Sequence, residues 1–177
     1  MPDAHPTPRA PMPPAPLWVW LGGALAVVIL DQISKIGFDR WLDYAERVAV
    51  LPFFDFTLLY NRGAAFSFLA GQQGWQRWFF TAIAVVAIVL IIHLLRRHSG
   101  QTLFCAALML ILGGAAGNVI DRVLYGHVID FILLYWNNWF FPAFNVADIA
   151  ITFGAILLVL DEILRMRRER RERRAQP

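Results

Sequence analysis

Three aspartates lie in or beside strongly apolar sequence in the last third of the chain, at Asp121, Asp130 and Asp148. Ionisable groups are costly there, at roughly 2.5–3.5 kcal/mol each at the centre of a membrane helix, so they usually mark function. Two carboxylates held close together share one proton, because both cannot ionise comfortably. One can then take a proton from water while the other donates a proton to a carbonyl oxygen. Asp130 and Asp148 are the natural pair, because each lies in apolar sequence without an adjacent base.

Other interpretations of these carboxylates remain open on the residues alone. Asp148 follows Asn145 by three residues at the start of a predicted helix, where an aspartate can instead cap the helix. A proton or ion pathway is the other functional class, although the charges cluster and do not form a ladder across the bilayer. Asp121 has Arg122 beside it, but adjacent residues of a helix do not face each other, so their pairing is not assured.

Other hydrolytic chemistries lack their residue patterns. No serine stands in a GxSG context and no HExxH pattern occurs, so neither a serine nucleophile nor a zinc protease is supported. The histidines are dispersed along the chain, at His5, His93, His98 and His127. Cys105 is the single cysteine, which excludes an intrachain disulfide and a cysteine-based zinc site.

The composition is that of an integral membrane protein. Of the 177 residues, 58% are hydrophobic and 16% are charged, against about 25% charged in typical globular proteins. The apolar residues form long runs, as helices that span a bilayer require. The net charge of +3 is concentrated in the C-terminal run RMRRERRERR, which favours a juxtamembrane cytoplasmic anchor over nucleic-acid binding.

These runs predict a membrane α-helical fold: four transmembrane helices, a small extracytoplasmic β-sheet element and an interfacial loop/helix region. The predicted spans are Leu17 to about Phe38, Trp75 to about Leu95, Thr102 to about Leu124, and about Phe144 to Leu164. The proline-rich residues 1–16 are expected to be a disordered cytoplasmic tail. Residues 17–164 form the membrane domain, and residues 165–177 form an Arg-rich cytoplasmic tail with helical character.

The β-sheet element is predicted at about residues 45–70, where apolar and polar residues alternate. Phe56 and its alternate neighbours face one side of the strand, and Thr57 and its alternate neighbours face the other. Phe66 and Phe68 are candidates for a return strand. Asn61 lies at the turn that would precede this return strand, and it is either a turn former or a residue that points into a site.

The basic residues orient the predicted spans. Arg96, Arg97 and the Arg-rich tail are expected in the cytoplasm, which puts the loops 39–74 and 125–143 outside. Polar residues at the relevant span ends then meet near the outer leaflet: Asp31, Lys35, Asn118, Asp121, Arg122, Asn145 and Asp148. Asp31 and Lys35 are four residues apart on one helical face. They form either a mutually neutralising pair or a support for a nearby site.

Five short motifs occur in order along the chain: DQISK, YNRGAAFS, GNVIDR, GHVIDF and FNVAD. With these motifs the chain resembles signal peptidase II, the family of bacterial lipoprotein signal peptidases, which are aspartic intramembrane peptidases. The resemblance covers about residues 17–164 and implies that Asp130 and Asp148 are the catalytic dyad. It implies site-shaping or substrate-contacting roles for Asn61, Gly63, Asn118, Arg122 and Asn145, and structural support from Asp31, Lys35 and Asp121.

The resemblance also implies the reaction and its setting. The expected protein is an aspartic endopeptidase of the bacterial inner membrane that removes the signal peptide of a diacylglyceryl-modified prolipoprotein, cutting just before the lipidated cysteine. One aspartate activates water, no acyl-enzyme forms, and no metal or other cofactor takes part. Expected partners are lipid-modified prolipoproteins, membrane lipids and globomycin-type inhibitors, with no nucleic acid. The protein is expected to be monomeric, with both termini in the cytoplasm.

Overall fold

The computed structural model describes residues 15–63 and 75–175, which form four helices and four strands. The helices are α1 (Leu17–Trp41), α2 (Trp75–Arg97), α3 (Thr102–Leu124) and α4 (Val146–Ala175). The strands are β1 (Arg47–Leu51), β2 (Phe54–Asn61), β3 (Val128–Trp136) and β4 (Trp139–Phe140). The candidate return strand with Phe66 and Phe68 lies outside the described residues, as does nearly all of the N-terminal tail.

Three of the described helices, α1, α2 and α3, are long and apolar enough to cross a membrane. They contain 25, 23 and 23 residues. At 1.5 Å per residue this is roughly 35–38 Å, against about 30 Å for the hydrocarbon core. α4 does not meet the same criterion, because three carboxylates, Asp148, Asp161 and Glu162, fall within its apolar stretch. The helical membrane fold is confirmed, and the fourth predicted span stays a prediction.

α4 continues beyond the predicted end of its apolar stretch at Leu164 and ends at Ala175. Arginine and glutamate are good helix formers, so the charged run can extend the helix. Exposed pairs also form along it: Arg165 Nη2 lies 2.7 Å from Glu162 Oε2, and Arg165 Nε lies 4.0 Å from Glu169 Oε1. The helical character predicted for the Arg-rich tail is therefore confirmed for residues 165–175.

α3 is the central helix and packs against each of the other three. Two glycines of α3, Gly113 and Gly117, let this helix approach α1 closely. A Cβ atom at Gly113 would lie 2.8 Å from the carbonyl oxygen of Ala24, and a Cβ atom at Gly117 would overlap the carboxylate of Asp31. The absence of side chains at these positions lets a charged residue of α1 lie directly against the backbone of α3.

The strands form one antiparallel sheet in the order β1-β2-β3-β4. Residues 128–136 form the inner strand β3, so the interfacial loop/helix region predicted for this part of the chain is wrong. The sequence VIDFILLYW is rich in β-branched and aromatic residues, which suit a strand. Its apolar run is nearly continuous, however, and lacks the alternation by which a half-buried strand is recognised.

A cluster of aromatic and aliphatic side chains attaches the sheet to the end of α1. The ring of Phe38 stacks on that of Phe131, with centroids 4.2 Å apart, and lies 4.6 Å from the ring of Phe56. Stacked and tilted aromatic pairs of this kind contribute beyond their buried area. The contacts fix β2 and β3 beside α1, and with these strands the side chains of Asn61 and Asp130.

Candidate active site

Asp130 is the third residue of β3, and its side chain is only 2% exposed. One carboxylate oxygen accepts a hydrogen bond from Asn145 Nδ2 at 2.7 Å, and the other accepts one from Asn61 Nδ2 at 3.1 Å. The two donors come from the start of α4 and from the end of β2. Asp130 therefore lies where the sheet meets the helices.

Asp148 lies in the first turn of α4 and takes part in the helix cap. Asn145 Oδ1 accepts a hydrogen bond from Asp148 N at 3.0 Å, and Asp148 Oδ2 accepts one from Asn145 N at 3.3 Å. This reciprocal pair is a capping box. The other oxygen, Asp148 Oδ1, accepts a hydrogen bond from Asn118 Nδ2 at 2.8 Å. The interpretation of Asp148 as a helix cap is thus confirmed, and its other carboxylate oxygen still faces α3.

The electrostatic environment of Asp130 favours its protonated form. Burial, and secondly the charge of Asp148, raise the pKa of Asp130 to about 7, against the opposing hydrogen bonds from Asn61 and Asn145. Burial in a low dielectric disfavours a carboxylate, and a nearby like charge adds to the effect. The two carboxylates are therefore electrostatically coupled, and the pair can hold one proton in the neutral range.

Asn61 is oriented towards Asp130 by a turn at the end of β2. Its Oδ1 accepts a hydrogen bond from Gly63 N at 2.9 Å, so its Nδ2 is left to donate to Asp130. Gly63 has a φ of +97°, a conformation that residues with side chains rarely adopt. A Cβ atom there would also lie 2.9 Å from Phe80 Cδ2. Asn61 is both a turn former and a partner of the cluster.

Asn118 and Asn145 connect the two carboxylates. Asn145 is fully buried, and besides Asp130 its Nδ2 lies 3.2 Å from the carbonyl oxygen of Ile129 and 3.4 Å from Asn118 Oδ1. Asn118 Nδ2 donates to Asp148. Each asparagine thus directs an amide N–H at one of the two carboxylates, and the amides contact each other.

Asp31, Lys35 and Asp121 form a buried ion cluster beside these asparagines. Lys35 Nζ lies 2.8 Å from Asp31 Oδ2 and 2.9 Å from Asp121 Oδ2, and all three side chains are at most 1% exposed. Gln32, which the sequence interpretation missed, donates from Nε2 to Asp121 Oδ1 at 2.8 Å. The signal that could have found Gln32 is its position between two charged residues in an otherwise apolar span.

Asp31 also contacts the helix that carries Asp148. Its Oδ1 accepts a hydrogen bond from Ala147 N at 2.8 Å. The backbone N–H groups in the first turn of a helix lack intrahelical partners, and an anion satisfies them favourably. Asp31 and Lys35 are therefore more than a mutually neutralising pair at the membrane surface, because they connect α1 to α3 and to the start of α4.

Arg122 is not the cation that pairs with Asp121. That partner is Lys35, because adjacent helix residues point in different directions. Arg122 Nη1 donates to the carbonyl oxygen of Asn118 at 3.3 Å, and its guanidinium carbon lies 5.9 Å from the ring centroid of Phe80. Its Nε is buried and has no hydrogen-bond partner within the described residues. The guanidinium group therefore has donors available near the carboxylates.

A groove of about 360 Å³ opens beside Asp148. It is mainly apolar, and it is lined by Phe141, Pro142, Ala143, Phe144, Asp148, Ile149, Thr152 and Phe153. Asp148 and Thr152 line the groove, whereas Asn145 is buried behind them. The groove can accept an apolar chain next to a carboxylate.

Within residues 15–63 and 75–175, no group of three or more His, Cys, Asp or Glu side chains could hold a metal ion.

Comparison with known proteins finds relatives over most of the chain. The family model described as signal peptidase (SPase) II matches residues 23–164. The lipoprotein signal peptidase of Paraburkholderia phytofirmans is 58% identical over 151 residues, which are 85% of this chain and 88% of the relative. That of Cupriavidus necator is 58% identical over 150 residues, which are 85% of this chain and 86% of the relative. A solved structure described as a bacterial membrane enzyme is 30% identical, with a TM-score of 0.74 over 85% of this chain and 90% of that one.

The fold and the site define a helical membrane protein with a buried carboxylate cluster where the helices meet a small antiparallel sheet. The chain belongs to the signal peptidase II family. Membership of this family implies a membrane protease that removes signal peptides from prolipoproteins.

Proposed function

We propose that the protein is an aspartic endopeptidase that cleaves diacylglyceryl-modified prolipoproteins just before the lipidated cysteine, with Asp130 and Asp148 as the catalytic dyad. The observation that carries the proposal is the pair of coupled carboxylates on β3 and α4, linked through Asn145. Such a pair can supply an acid and a base at once, because its two members share one proton.

Asp130 is the proposed acid and Asp148 the proposed base. The raised pKa of Asp130 leaves this carboxyl protonated in part of the molecules near neutral pH. Asp148 takes a proton from water while the oxygen of that water bonds to the carbonyl carbon. At the same time Asp130 protonates the carbonyl oxygen. The carbon–nitrogen bond then breaks and the cysteine nitrogen takes up a proton from the dyad. No acyl-enzyme intermediate forms, and the step needs no metal.

The remaining predicted site residues orient the dyad and contact the substrate. Asn61, Asn118 and Asn145 direct amide N–H groups at the two carboxylates, and Gly63 fixes the turn that orients Asn61. Arg122 is proposed to bind substrate carbonyl oxygens, since its Nε has no partner within the described residues. The apolar groove beside Asp148 suits a lipid-bearing substrate or a globomycin-type inhibitor.

The protein is proposed to span the inner membrane four times, with α4 as the fourth span and both termini in the cytoplasm. Support comes from Arg96 and Arg97 at the end of α2 and from the Arg-rich end of α4, because positive charge next to a span favours the cytoplasmic side. The dyad then lies near the outer leaflet. A cytoplasmic reporter fused after Pro177 should be active, whereas activity of an extracytoplasmic reporter at this position would contradict the topology.

The function is tested with a purified prolipoprotein before and after diacylglyceryl transfer to its cysteine. We expect the protein in lipid or detergent to release the signal peptide from the lipidated form, to leave the unmodified form intact and to be inhibited by globomycin. Mass spectrometry should give a mature product that begins with the lipidated cysteine. Absence of cleavage by folded protein, or equal cleavage of the unmodified precursor, would contradict the proposal.

The raised pKa of Asp130 also predicts how stability depends on pH. The folded protein keeps this proton up to about pH 7, whereas an ordinary aspartate loses it near pH 3.8. Between these values the folded state binds more protons than the unfolded state, so stability falls as the pH rises. We expect Asp130→Asn to raise the melting temperature by about 5 °C at pH 8 and to have little effect near pH 4.

The matched control for this measurement is Asp43→Asn, since Asp43 is an exposed carboxyl. Melting curves from tryptophan fluorescence in one detergent would compare the variants across the pH range. A shift from Asp130→Asn that does not change with pH would contradict the linkage.

A further inference from the structure

Lys35 holds one asparagine of the site in a single orientation. Its ammonium group has three protons and three acceptors: Asp31 Oδ2 at 2.8 Å, Asp121 Oδ2 at 2.9 Å and Asn118 Oδ1 at 2.9 Å. Lys35 is 1% exposed, so water does not compete for these protons. An ammonium group can only donate hydrogen bonds. The amide oxygen of Asn118, and not its nitrogen, must therefore face Lys35.

The orientation of this amide decides which of its atoms faces Asp148. With Oδ1 bound to Lys35, Nδ2 points at Asp148 Oδ1, 2.8 Å away. A rotated amide would place its N–H groups against the ammonium and its oxygen against a carboxylate. Both contacts would be repulsive, and each would leave buried polar groups without partners, which is costly.

We infer that Lys35 is a positioning residue for the base of the dyad: through the amide of Asn118 it directs an N–H at Asp148 and keeps that carboxylate in place. The inference rests on the proposed function, in which Asp148 activates water. Lys35 itself touches neither Asp130 nor Asp148 by any hydrogen bond within the described residues. Any effect of its hydrogen bonds on the reaction must therefore pass through another group.

Lys35 could instead act on the dyad through its positive charge alone. The two aspartates beside it argue against this explanation. Two carboxylates, Asp31 and Asp121, lie against the one ammonium group, so the cluster has a net charge of −1 when all three are ionised. These aspartates offset part of the field of Lys35, and its charge is the weakest of the influences on the pKa of Asp130, which it lowers. The hydrogen bond through Asn118 remains as the specific connection.

A double-mutant cycle tests the connection in single-turnover cleavage of the lipidated precursor, with Lys35→Met, Asn118→Ala and their combination. Lys35→Met leaves the amide of Asn118 free to rotate, so the charge-assisted hydrogen bond from Asn118 to Asp148 is lost. This loss should lower the cleavage rate constant about 10- to 100-fold and change the half-saturating substrate concentration less than about threefold. In the Asn118→Ala background the same replacement should lower the rate constant less than about threefold. An equal loss in both backgrounds would overturn the inference.

A charge-balanced variant keeps the test decisive if Lys35→Met does not fold. Lys35→Met combined with Asp121→Asn removes one charge of each sign, so the cluster keeps its net charge of −1. We expect this variant to melt closer to the wild type and to retain the same loss of rate constant. A wild-type rate constant in this folded variant would overturn the inference.

The outcomes for Lys35 are separable from those for the function itself. Failure of the wild-type protein to cleave the lipidated precursor would contradict the proposed function and leave no rate to compare. Cleavage by the wild type with additive effects of Lys35→Met and Asn118→Ala would preserve the proposed function and reject the positioning role.

Discussion

Asp148→Asn and Asp130→Asn are each expected to lower the rate of signal-peptide cleavage by about 10⁴-fold or more, because the dyad acts as a unit. An asparagine at position 148 has one amide oxygen and can accept the hydrogen bond from Asn118 or the one from the backbone of Asn145, but not both. The other half of the helix cap, from the backbone N–H of residue 148 to Asn145 Oδ1, is unchanged, so the fold should persist. This asparagine cannot accept a proton from water. An asparagine at position 130 likewise has no acidic proton to transfer to the carbonyl oxygen.

The measurement is cleavage of the lipidated precursor by equal amounts of folded wild type and variants. Asp161→Asn is a matched control, because Asp161 also lies in α4 but thirteen residues, or roughly 20 Å, further along the helix. It should retain near wild-type cleavage. Turnover by Asp130→Asn or Asp148→Asn close to that of the wild type would reject the dyad. A proton or ion flux in liposomes that the same changes remove, without any peptide product, would favour transport.

Gly114→Ala is expected to have the largest effect on stability among single-methyl additions. A Cβ atom at Gly114 would overlap the carbonyl oxygen of Ala147, which is backbone and cannot rotate away. α3 and α4 would have to separate where Asn118 donates to Asp148. Overpacking of this kind costs about 1–3 kcal/mol or more. We therefore expect the melting temperature to fall by about 5 °C or more, together with most of the cleavage activity.

Gly37→Ala provides the control for this change. A Cβ atom at Gly37 in α1 would meet nothing within 4 Å, and alanine is the better helix former by about 1 kcal/mol. Gly37→Ala should therefore leave the melting temperature unchanged or raise it slightly. A similar fall for Gly37→Ala and Gly114→Ala would show that the loss comes from glycine replacement in general. It would then not come from the contact between α3 and α4.

The membrane class and most helix positions could be predicted because they depend on local sequence. Long apolar runs of sufficient length predict α1, α2 and α3, and the predicted bounds of α3, Thr102 to about Leu124, agree with the structure. α1 ends at Trp41 and not near Phe38, since nothing in the sequence breaks the helix there. The strand β3 was missed, because an inner strand with few polar residues has no alternation to reveal it.

The topology predicted that the polar span ends meet, but the partner of each side chain could be predicted only where the contact is local. Asp31 and Lys35 are four residues apart, and Asn145 and Asp148 are three apart, so helical geometry alone brings each pair together. The capping box of Asn145 and Asp148 follows from the same geometry. The pairing of Asp121 could not be obtained in this way, since its cation comes from another helix.

The sequence by itself therefore determined the residue types of the site and the elements that carry them, because these follow from hydropathy and from local helical spacing. Only the tertiary structure decided their partners on other elements. Lys35 and Asn118 are 83 residues apart, Asn61 and Asp130 are 69 apart, and all of them meet through close helix packing and the pairing of β2 with β3. Local backbone N–H groups orient the amides of Asn61 and Asn145, whereas the amide of Asn118 is oriented by Lys35, a long-range donor that no local pattern specifies.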